Sequence, residues 1–333
     1  MQILGNSLYL LIEGEPDSPE VAFINRVIGR LISEAVLPNI NYEVVEVGGS
    51  GNFNSIAQII YRKSSLHKTT PVLAISDKDF KTQESVNRQN PKTDNQLVKD
   101  KAARVIYWER HEWENFILEE TGTIASILNQ IPTQAKNHKP IRINTTTTLS
   151  KEQLDEWLLQ YFQNSLVKEL VECLRFRFRE KVNTRFSLEK LKTEELATLS
   201  LQDLEIWFRN QVASTAREYR KNLRNQKSML TEKVNETLWS SWLNDPSTLD
   251  FNQAKTFFRG KEALRELFCK AVNHLSIQNL DYETFVQQII LPELEKNVNA
   301  SIIQQIRLML TPYFQNVANS QRDRTSGEGL WDL

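Results

Sequence analysis

The chain has 333 residues, of which 40% are hydrophobic and 25% are charged, so it has the means to bury a core and is not predicted to be disordered. Its formal net charge of −1 excludes recruitment of nucleic acid or membrane by bulk charge, and any basic surface must be local. The sequence has no apolar run of the roughly 18 residues that span a bilayer, no signal-peptide pattern and no CxxC motif. We therefore expect a cytoplasmic protein that does not enter a membrane.

Glycine is distributed unevenly along the chain. Seven of the ten glycines lie at or before Gly122, and residues 123–259 contain none. This asymmetry predicts a turn-rich α/β domain followed by an all-α C-terminal domain of long helices. We place the α/β domain at residues 1–132, a connector at 133–149, the helical domain at 150–317 and a flexible tail at 318–333.

Apolar runs alternate with helical periods in the first third of the chain. Strands are predicted at residues 8–12, 42–47, 71–76 and 105–108, with helices at 19–37 and 52–61. The order βαβαβ, with continuously apolar strands, favours a mostly parallel sheet with helices on both faces. In such sheets, ligands bind beyond the carboxyl ends of the strands.

The rest of the chain shows mainly helical periodicity. Ser150 and Gln153 form a capping-box pattern ahead of a helix that continues to about residue 178. A second long helix begins near Ser200 and runs past Arg224. Shorter helices are predicted at the following residues: 251–272, 282–297 and 302–314.

The second long helix carries a local concentration of positive charge, which we call the basic ridge. It consists of Arg217, Arg220, Lys221 and Arg224, whose spacing of i, i+3, i+4 and i+7 places them on one helical face. Such a ridge can follow a phosphate backbone with salt-dependent affinity, which makes it a candidate nucleic-acid surface. A solvated helix face, or pairing with the acids of a partner, accounts for the pattern equally well.

Acidic residues directly follow two of the predicted strands. Glu13 follows the first strand, with Asp17 four residues on, and Asp77 and Asp79 follow the third. At positions i and i+2 of an extended segment, Asp77 and Asp79 point the same way, and Glu13 reaches them if the first and third strands are neighbours. Converging carboxylates raise one another's pKa values, and a hard divalent cation such as Mg²⁺ or Mn²⁺ removes that cost.

Two of these motifs together resemble a known fold. Glu13-Gly14 after the first strand and Asp77-x-Asp79 after the third resemble the Toprim fold of topoisomerases and primases. The additional Asp17 is similar to a metal-binding acid of the nucleases of the OLD class.

Two further motifs resemble one particular family within the Toprim fold. Residues 48–52 (GGSGN) and Glu114-Asn115-Phe116, after the second and fourth strands, resemble a bacterial Toprim-like family that includes the nuclease subunit of the PARIS anti-phage system. The resemblance covers residues 5–120, about a third of the chain. It implies a role in phage defence together with an ABC-class ATPase partner. A homodimer is a further possible assembly.

The resemblance implies a role for each matching acid. Glu13 corresponds to a general acid/base or metal ligand, Asp77 and Asp79 to a metal-binding pair, and Asp17 to a ligand of a second metal. Glu114 corresponds to an acid that either ligates metal or caps the following helix. The implied cofactor is one or two Mg²⁺ or Mn²⁺ ions.

Several residues near these motifs keep open roles. Lys78, Lys81 and Arg88 are candidates for binding phosphate at the polar segment 80–102, which a solvated surface loop explains equally well. Gly260-Lys261 resembles a Gly-Lys step found in the related family, and the role of Lys261 is open.

The glycine-rich run 48–52 is not a Walker A loop, because no Gly-Lys-Ser/Thr follows it. We interpret the run as the edge of the active site. A turn that requires positive φ explains it equally well.

These observations lead to a metal-dependent nuclease that hydrolyses DNA or RNA, including tRNA, as the main hypothesis. The alternative is a non-catalytic Toprim-like module that binds an ATPase partner. A glycosyltransferase, in which the D-x-D of residues 77–79 holds a metal–nucleotide-sugar, is a weaker hypothesis because it leaves Glu13 without a role.

Overall fold

The fold is given by a computed structural model that describes residues 8–14, 18–63, 71–82, 85–87, 93–133, 139–144, 146–181, 201–225 and 237–327. A four-stranded parallel sheet has the order β2-β1-β3-β4. Its strands are β1 (Leu8–Ile12), β2 (Tyr42–Glu46), β3 (Leu73–Ser76) and β4 (Arg104–Tyr107). All four predicted strands and the parallel sheet are confirmed, and β1 and β3 are neighbours.

Helices flank this sheet, and most of the remaining described chain is helical. Those of the first half are α1 (Pro19–Ser33), α2 (Phe53–Lys63), α3 (Asp94–Asp100), α4 (Glu114–Ile117), α5 (Thr121–Asn129) and α6 (Lys151–Lys181). Those of the second half are α7 (Leu201–Asn225), α8 (Thr237–Asn244), α9 (Phe251–Phe257), α10 (Gly260–Leu275), α11 (Tyr282–Thr284), α12 (Leu291–Lys296) and α13 (Ser301–Gly327). A π-helical segment, Phe285–Ile290, joins α11 to α12.

The central strand β1 is buried on both faces, as its uniformly apolar sequence predicts. All five of its residues are 0% exposed. On one face, Tyr9 and Leu11 pack in a cluster with Phe53, Ala57 and Ile60 of α2. Burial on both faces is typical of parallel sheets whose connections are helical.

The strand register brings the ends of β1 and β3 to the same level. Ile12 lies opposite Ile75, and Ile75 lies opposite Ile106 of β4. The Glu13 backbone N–H donates to the carbonyl of Ile75 at 3.3 Å, so the chain leaves β1 directly beside the end of β3. The residues that follow the strands therefore share one edge of the sheet.

Two helices differ from those predicted. The helix predicted over residues 251–272 is interrupted at Phe258 and Arg259, where Arg259 takes up the extended N-cap conformation that starts α10. Helix α13 extends to Gly327 although Pro312 lies in its interior, so much of the predicted tail is helical.

A small second sheet was not predicted. Strand β5 (Ile141–Arg142), inside the predicted connector, pairs antiparallel with β6 (Ile277–Gln278). A two-residue strand is too short to produce a recognisable apolar period.

The chain divides into two compact units. One contains Met1–Phe162 together with Phe251–Leu333, and the other is Gln163–Asp250. The predicted boundaries do not coincide with this division, because the C-terminal helices pack into the unit that holds the sheet. The Arg26 Nε on α1, for example, donates to Glu295 Oε1 on α12 at 2.6 Å.

The second unit contains α7, α8 and the greater part of α6. Trp239 and Trp242 of α8 are buried in it with ring centroids 5.8 Å apart. None of the described helices combines the length and the apolar character needed to cross a bilayer.

Candidate active site

Glu13 is held at the carboxyl edge of the sheet by hydrogen bonds to both of its carboxylate oxygens. Ser50 N donates to Oε1 at 3.0 Å, and Ser76 Oγ donates to Oε2 at 2.6 Å. The glycine-rich run 48–52 therefore lies beside Glu13. Gly48 in this run has a φ of +68°, which favours glycine. Gly14, which follows Glu13, is also restricted to glycine, because a Cβ there would lie 2.9 Å from Ser18 Oγ.

Asp77 lies at the end of β3 among several other acids. Its Oδ1 accepts a hydrogen bond from the Trp113 N–H at 3.2 Å. Burial raises the pKa of Asp77 well above its usual range, and the charges of Glu20, Glu114, Glu112 and Asp79 raise it further. We call these five acids together with Glu13 the acidic cluster.

Asp79 corrects one step of the prediction. Its backbone is not extended but has a φ of +48°, in a turn fixed by an N–H bond to the carbonyl of His111 at 2.9 Å. The prediction that Asp77 and Asp79 point the same way from an extended segment therefore rests on the wrong backbone conformation. Asp79 still lies close enough to Asp77 to raise its pKa.

Lys81 neutralises Asp79. The Lys81 Nζ lies 3.0 Å from Asp79 Oδ2 and 5.3 Å from the centre of the Tyr107 ring. The predicted binding of phosphate by Lys81 thus competes with an ion pair inside the site. The described neighbours of Asp79 supply it with a cation even without a metal.

Glu20 belongs to the site although no motif pointed to it. It lies in the first turn of α1, is 7% exposed, and accepts a hydrogen bond from Trp108 Nε1 at 3.1 Å. Burial raises its pKa well above the usual range, and the charges of Glu114 and Glu13 act in the same direction. A usable signal existed: Glu20, Ile24 and Leu31 share the apolar stripe of α1.

Glu114, the first residue of α4, is also buried in the cluster. Burial raises its pKa to about 8, and the charge of Glu112 contributes in the same direction. Its own backbone N–H and the charge of Lys261 act against this rise. Glu114 does not occupy the N-cap position of α4, which is taken by Trp113, and its predicted role as a metal ligand stays a prediction.

Glu112 was also missed by sequence reasoning. Its Oε2 accepts a hydrogen bond from the Lys261 backbone N–H at 2.8 Å. A single acid in a loop forms no sequence pattern. The only signal for Glu112 in the sequence was its position two residues before Glu114.

His111 is buried against the acidic cluster. It is 3% exposed, its Nδ1 lies 3.7 Å from Glu112 Oε1, and its ring meets that of Phe80 edge-on at 4.4 Å. Among the described residues, neither ring nitrogen has a hydrogen-bond partner. Burial lowers the pKa of His111 to about 3, and the nearby charges of Arg259, Lys81 and Lys78 contribute, so the imidazole is neutral at pH 7.

The carboxylates suit a hard divalent cation in their chemistry, because they are oxygen donors that raise one another's pKa values. They are not preassembled around one point. Within the part of the chain that the structure describes, no three His, Cys, Asp or Glu side chains are grouped closely enough to ligate one metal ion. An ion at Asp79 would have to replace Lys81.

The other predicted site residues lie in different places. Asp17 and Arg88 fall outside the described residues. The four residues of the basic ridge lie on α7, in the second unit, and all are exposed.

Comparisons with family models, with curated proteins and with solved structures find no match to this chain.

Proposed function

We propose that this protein is a metal-dependent nuclease of Toprim type that hydrolyses phosphodiester bonds. The observation that carries the proposal is the acidic cluster, in which four neighbouring carboxylates raise the pKa of Asp77. A fold gains nothing from collecting buried acids that repel one another. Their retention at the ligand-binding edge of a parallel sheet is typical of a functional site.

The residues of the cluster suit separate tasks. Asp77, Asp79 and Glu114 would hold Mg²⁺ or Mn²⁺ after moving closer together than they are in this structure, and Asp17 is a candidate for a second ion. When bound, the ion supplies electrostatic stabilisation of the transition state and lowers the pKa of a water molecule. Glu13, fixed by Ser50 and Ser76, would accept the proton of the attacking water.

The lysines next to these acids fit the phosphate side of the reaction. If Asp79 served as a metal ligand, Lys81 would give up its ion pair with Asp79, and its Nζ would be close enough to the site to contact a phosphate oxygen. Lys78 contributes a second positive charge close to His111.

The direct experiment combines calorimetry with cleavage assays. Titration of Mn²⁺ into the wild-type protein should show binding that disappears in Asp77→Ala. Labelled DNA duplexes, single strands and tRNA should be cleaved only when Mg²⁺ or Mn²⁺ is present. Metal binding without cleavage of any of these substrates would contradict the nuclease proposal.

One observation favours a non-catalytic interaction module as a second candidate. The described acids do not form a preassembled metal site, and Lys81 already neutralises Asp79. A module of this kind would show no Mn²⁺ binding, and Asp77→Ala would leave its interactions unchanged. The same titration therefore separates the two candidates.

The basic ridge is part of the proposal as a surface that binds nucleic acid. Changing Arg217, Arg220, Lys221 and Arg224 to glutamine should weaken binding about equally for all sequences. The slope of log affinity against log salt should become shallower by about one for each phosphate that the variant no longer neutralises. Glutamine has a helix propensity close to that of arginine and lysine, so α7 should stay folded.

Binding of an oligonucleotide at several salt concentrations tests the ridge in an Asp79→Asn background, which prevents cleavage. Arg209→Gln measures the effect of removing a single charge from the same helix, because Arg209 pairs with Glu205 at 2.6 Å. An unchanged slope in the fourfold variant would assign the ridge to solvent or to a protein partner.

The resemblance extends the proposal to phage defence, with an ABC-class ATPase that controls the nuclease. Co-expression with an ATPase encoded next to this chain, followed by co-purification, tests that extension. A nuclease that is constitutively active and binds no such ATPase would contradict it.

A further inference from the structure

A distant part of the chain packs against the segment that carries Glu112 and Glu114. We call residues 255–261, where α9 gives way to α10, the α9–α10 corner. The His111 N–H donates to the carbonyl of Thr256 at 3.2 Å, and the Lys261 N–H donates to Glu112 Oε2 at 2.8 Å. Residues 111–115 are therefore attached to the corner at their first two positions.

Asn115 attaches the end of the same segment. It is 0% exposed, and its Nδ2 donates to the carbonyls of Lys255 at 2.7 Å and Phe258 at 2.8 Å. Its Oδ1 accepts the Glu112 N–H at 2.9 Å. Both donors of the amide and its acceptor are used, and aspartate, which has no donor when ionised, cannot replace it.

Gly260 permits this close approach. A Cβ at this position would lie 2.5 Å from Asn115 Oδ1 and 2.6 Å from Asn115 N. One of these atoms belongs to the backbone, so a side chain would have to push α10 away from α4. The start of α10 is thus fitted to Asn115 at backbone distance.

We propose that Asn115 is a positioning residue of the active site. By clamping residues 111–115 to the α9–α10 corner, it holds Glu112 and Glu114 in the acidic cluster and aims the Trp113 N–H at Asp77. The catalytic consequence rests on the proposed nuclease function, whereas the clamp itself is measurable without it.

The test uses Asn115→Asp in the full-length chain, with hydrogen exchange read by mass spectrometry. We expect faster exchange over residues 111–117, while β3 stays as protected as in the wild type. The kcat of cleavage should fall about a hundredfold with little change in KM, because small displacements of catalytic groups cost about that much. Gly260→Ala should reproduce both effects and provides a second route if Asn115→Asp fails to fold.

Asn129→Asp is the matched control. Asn129 also joins two segments, since its Nδ2 donates to the Leu149 carbonyl at 2.8 Å and its Oδ1 accepts the Leu149 N–H at 2.9 Å. It lies at the end of α5 and contributes nothing to the acidic cluster. This variant should lower the melting temperature and leave exchange over residues 111–117 and kcat unchanged.

Two results would overturn the clamp. One is unchanged exchange over residues 111–117 in both folded variants, and the other is an equal increase in the Asn129→Asp control. Absence of cleavage by the wild type is a different outcome: it refutes the nuclease, while the exchange data still decide whether Asn115 positions the segment.

Discussion

Asp77→Asn should abolish metal-dependent cleavage and leave the metal-free fold intact or stabilised. The change removes a charged metal ligand, and losing several kcal/mol of transition-state stabilisation slows the reaction by about a thousandfold or more. It also removes a buried charge that four neighbouring acids disfavour, which is why stability should not fall. Cleavage rates with Mn²⁺, together with melting temperatures in EDTA, measure the two effects.

Asp94→Asn is the matched control for this prediction. Asp94 accepts a hydrogen bond from Arg104 Nε at 3.0 Å, and Arg104 begins β4, so this aspartate lies at the opposite edge of the sheet from Asp77. Its replacement should leave cleavage unchanged. Wild-type activity in a folded Asp77→Asn variant would show that this carboxylate is not part of the reaction.

Without metal, the protein should lose stability as the pH rises from about 4.5 to 8. The pKa of Glu114 is 4.5 in the unfolded reference and about 8 in the fold. Between these values the unfolded chain has released the proton that the folded chain still binds, so the free energy of unfolding falls with pH. The loss attributable to Glu114 is on the order of a few kcal/mol, and Glu114→Gln should remove it.

Denaturant unfolding in EDTA at several pH values measures this dependence. Glu119→Gln is the control, because Glu119 accepts a hydrogen bond from Arg110 Nε at 2.7 Å and lies close to Glu114 in sequence. Added Mn²⁺ should stabilise the wild type more at pH 8 than at pH 5, since binding requires ionised carboxylates. If the free energy of unfolding of Glu114→Gln fell with pH as steeply as that of the wild type, a group other than Glu114 would be responsible for the pH dependence.

The candidate site residues that follow strands could be predicted, because a buried strand is recognisable as an apolar run. The residues directly after that run lie at the carboxyl edge of the sheet. Glu13 and Asp77 were found in this way. Asp79 was also predicted, but its conformation was not, because its turn depends on a hydrogen bond to the His111 carbonyl that no local sequence pattern encodes. Glu20 was missed because acids in the first turn of a helix are usually explained by the helix dipole.

The partners of Asn115 could not be derived from the sequence. Lys255 and Phe258 lie 140 and 143 residues further along the chain. No helical or strand period extends over such a separation. The motif Glu114-Asn115 therefore indicated a site, but only the structure shows that its second residue binds the α9–α10 corner.

This separation also governs when the site can form during synthesis. At a translation rate of about 5–20 residues per second, Asn115 leaves the ribosome roughly 7–30 seconds before the corner that it binds. The sheet can assemble in that interval, but Glu112 and Glu114 cannot yet be fixed. For the proposed nuclease, a nascent chain next to ribosomal RNA and its own messenger is thus expected to stay inactive until α10 emerges, which would delay any cleavage of nucleic acid.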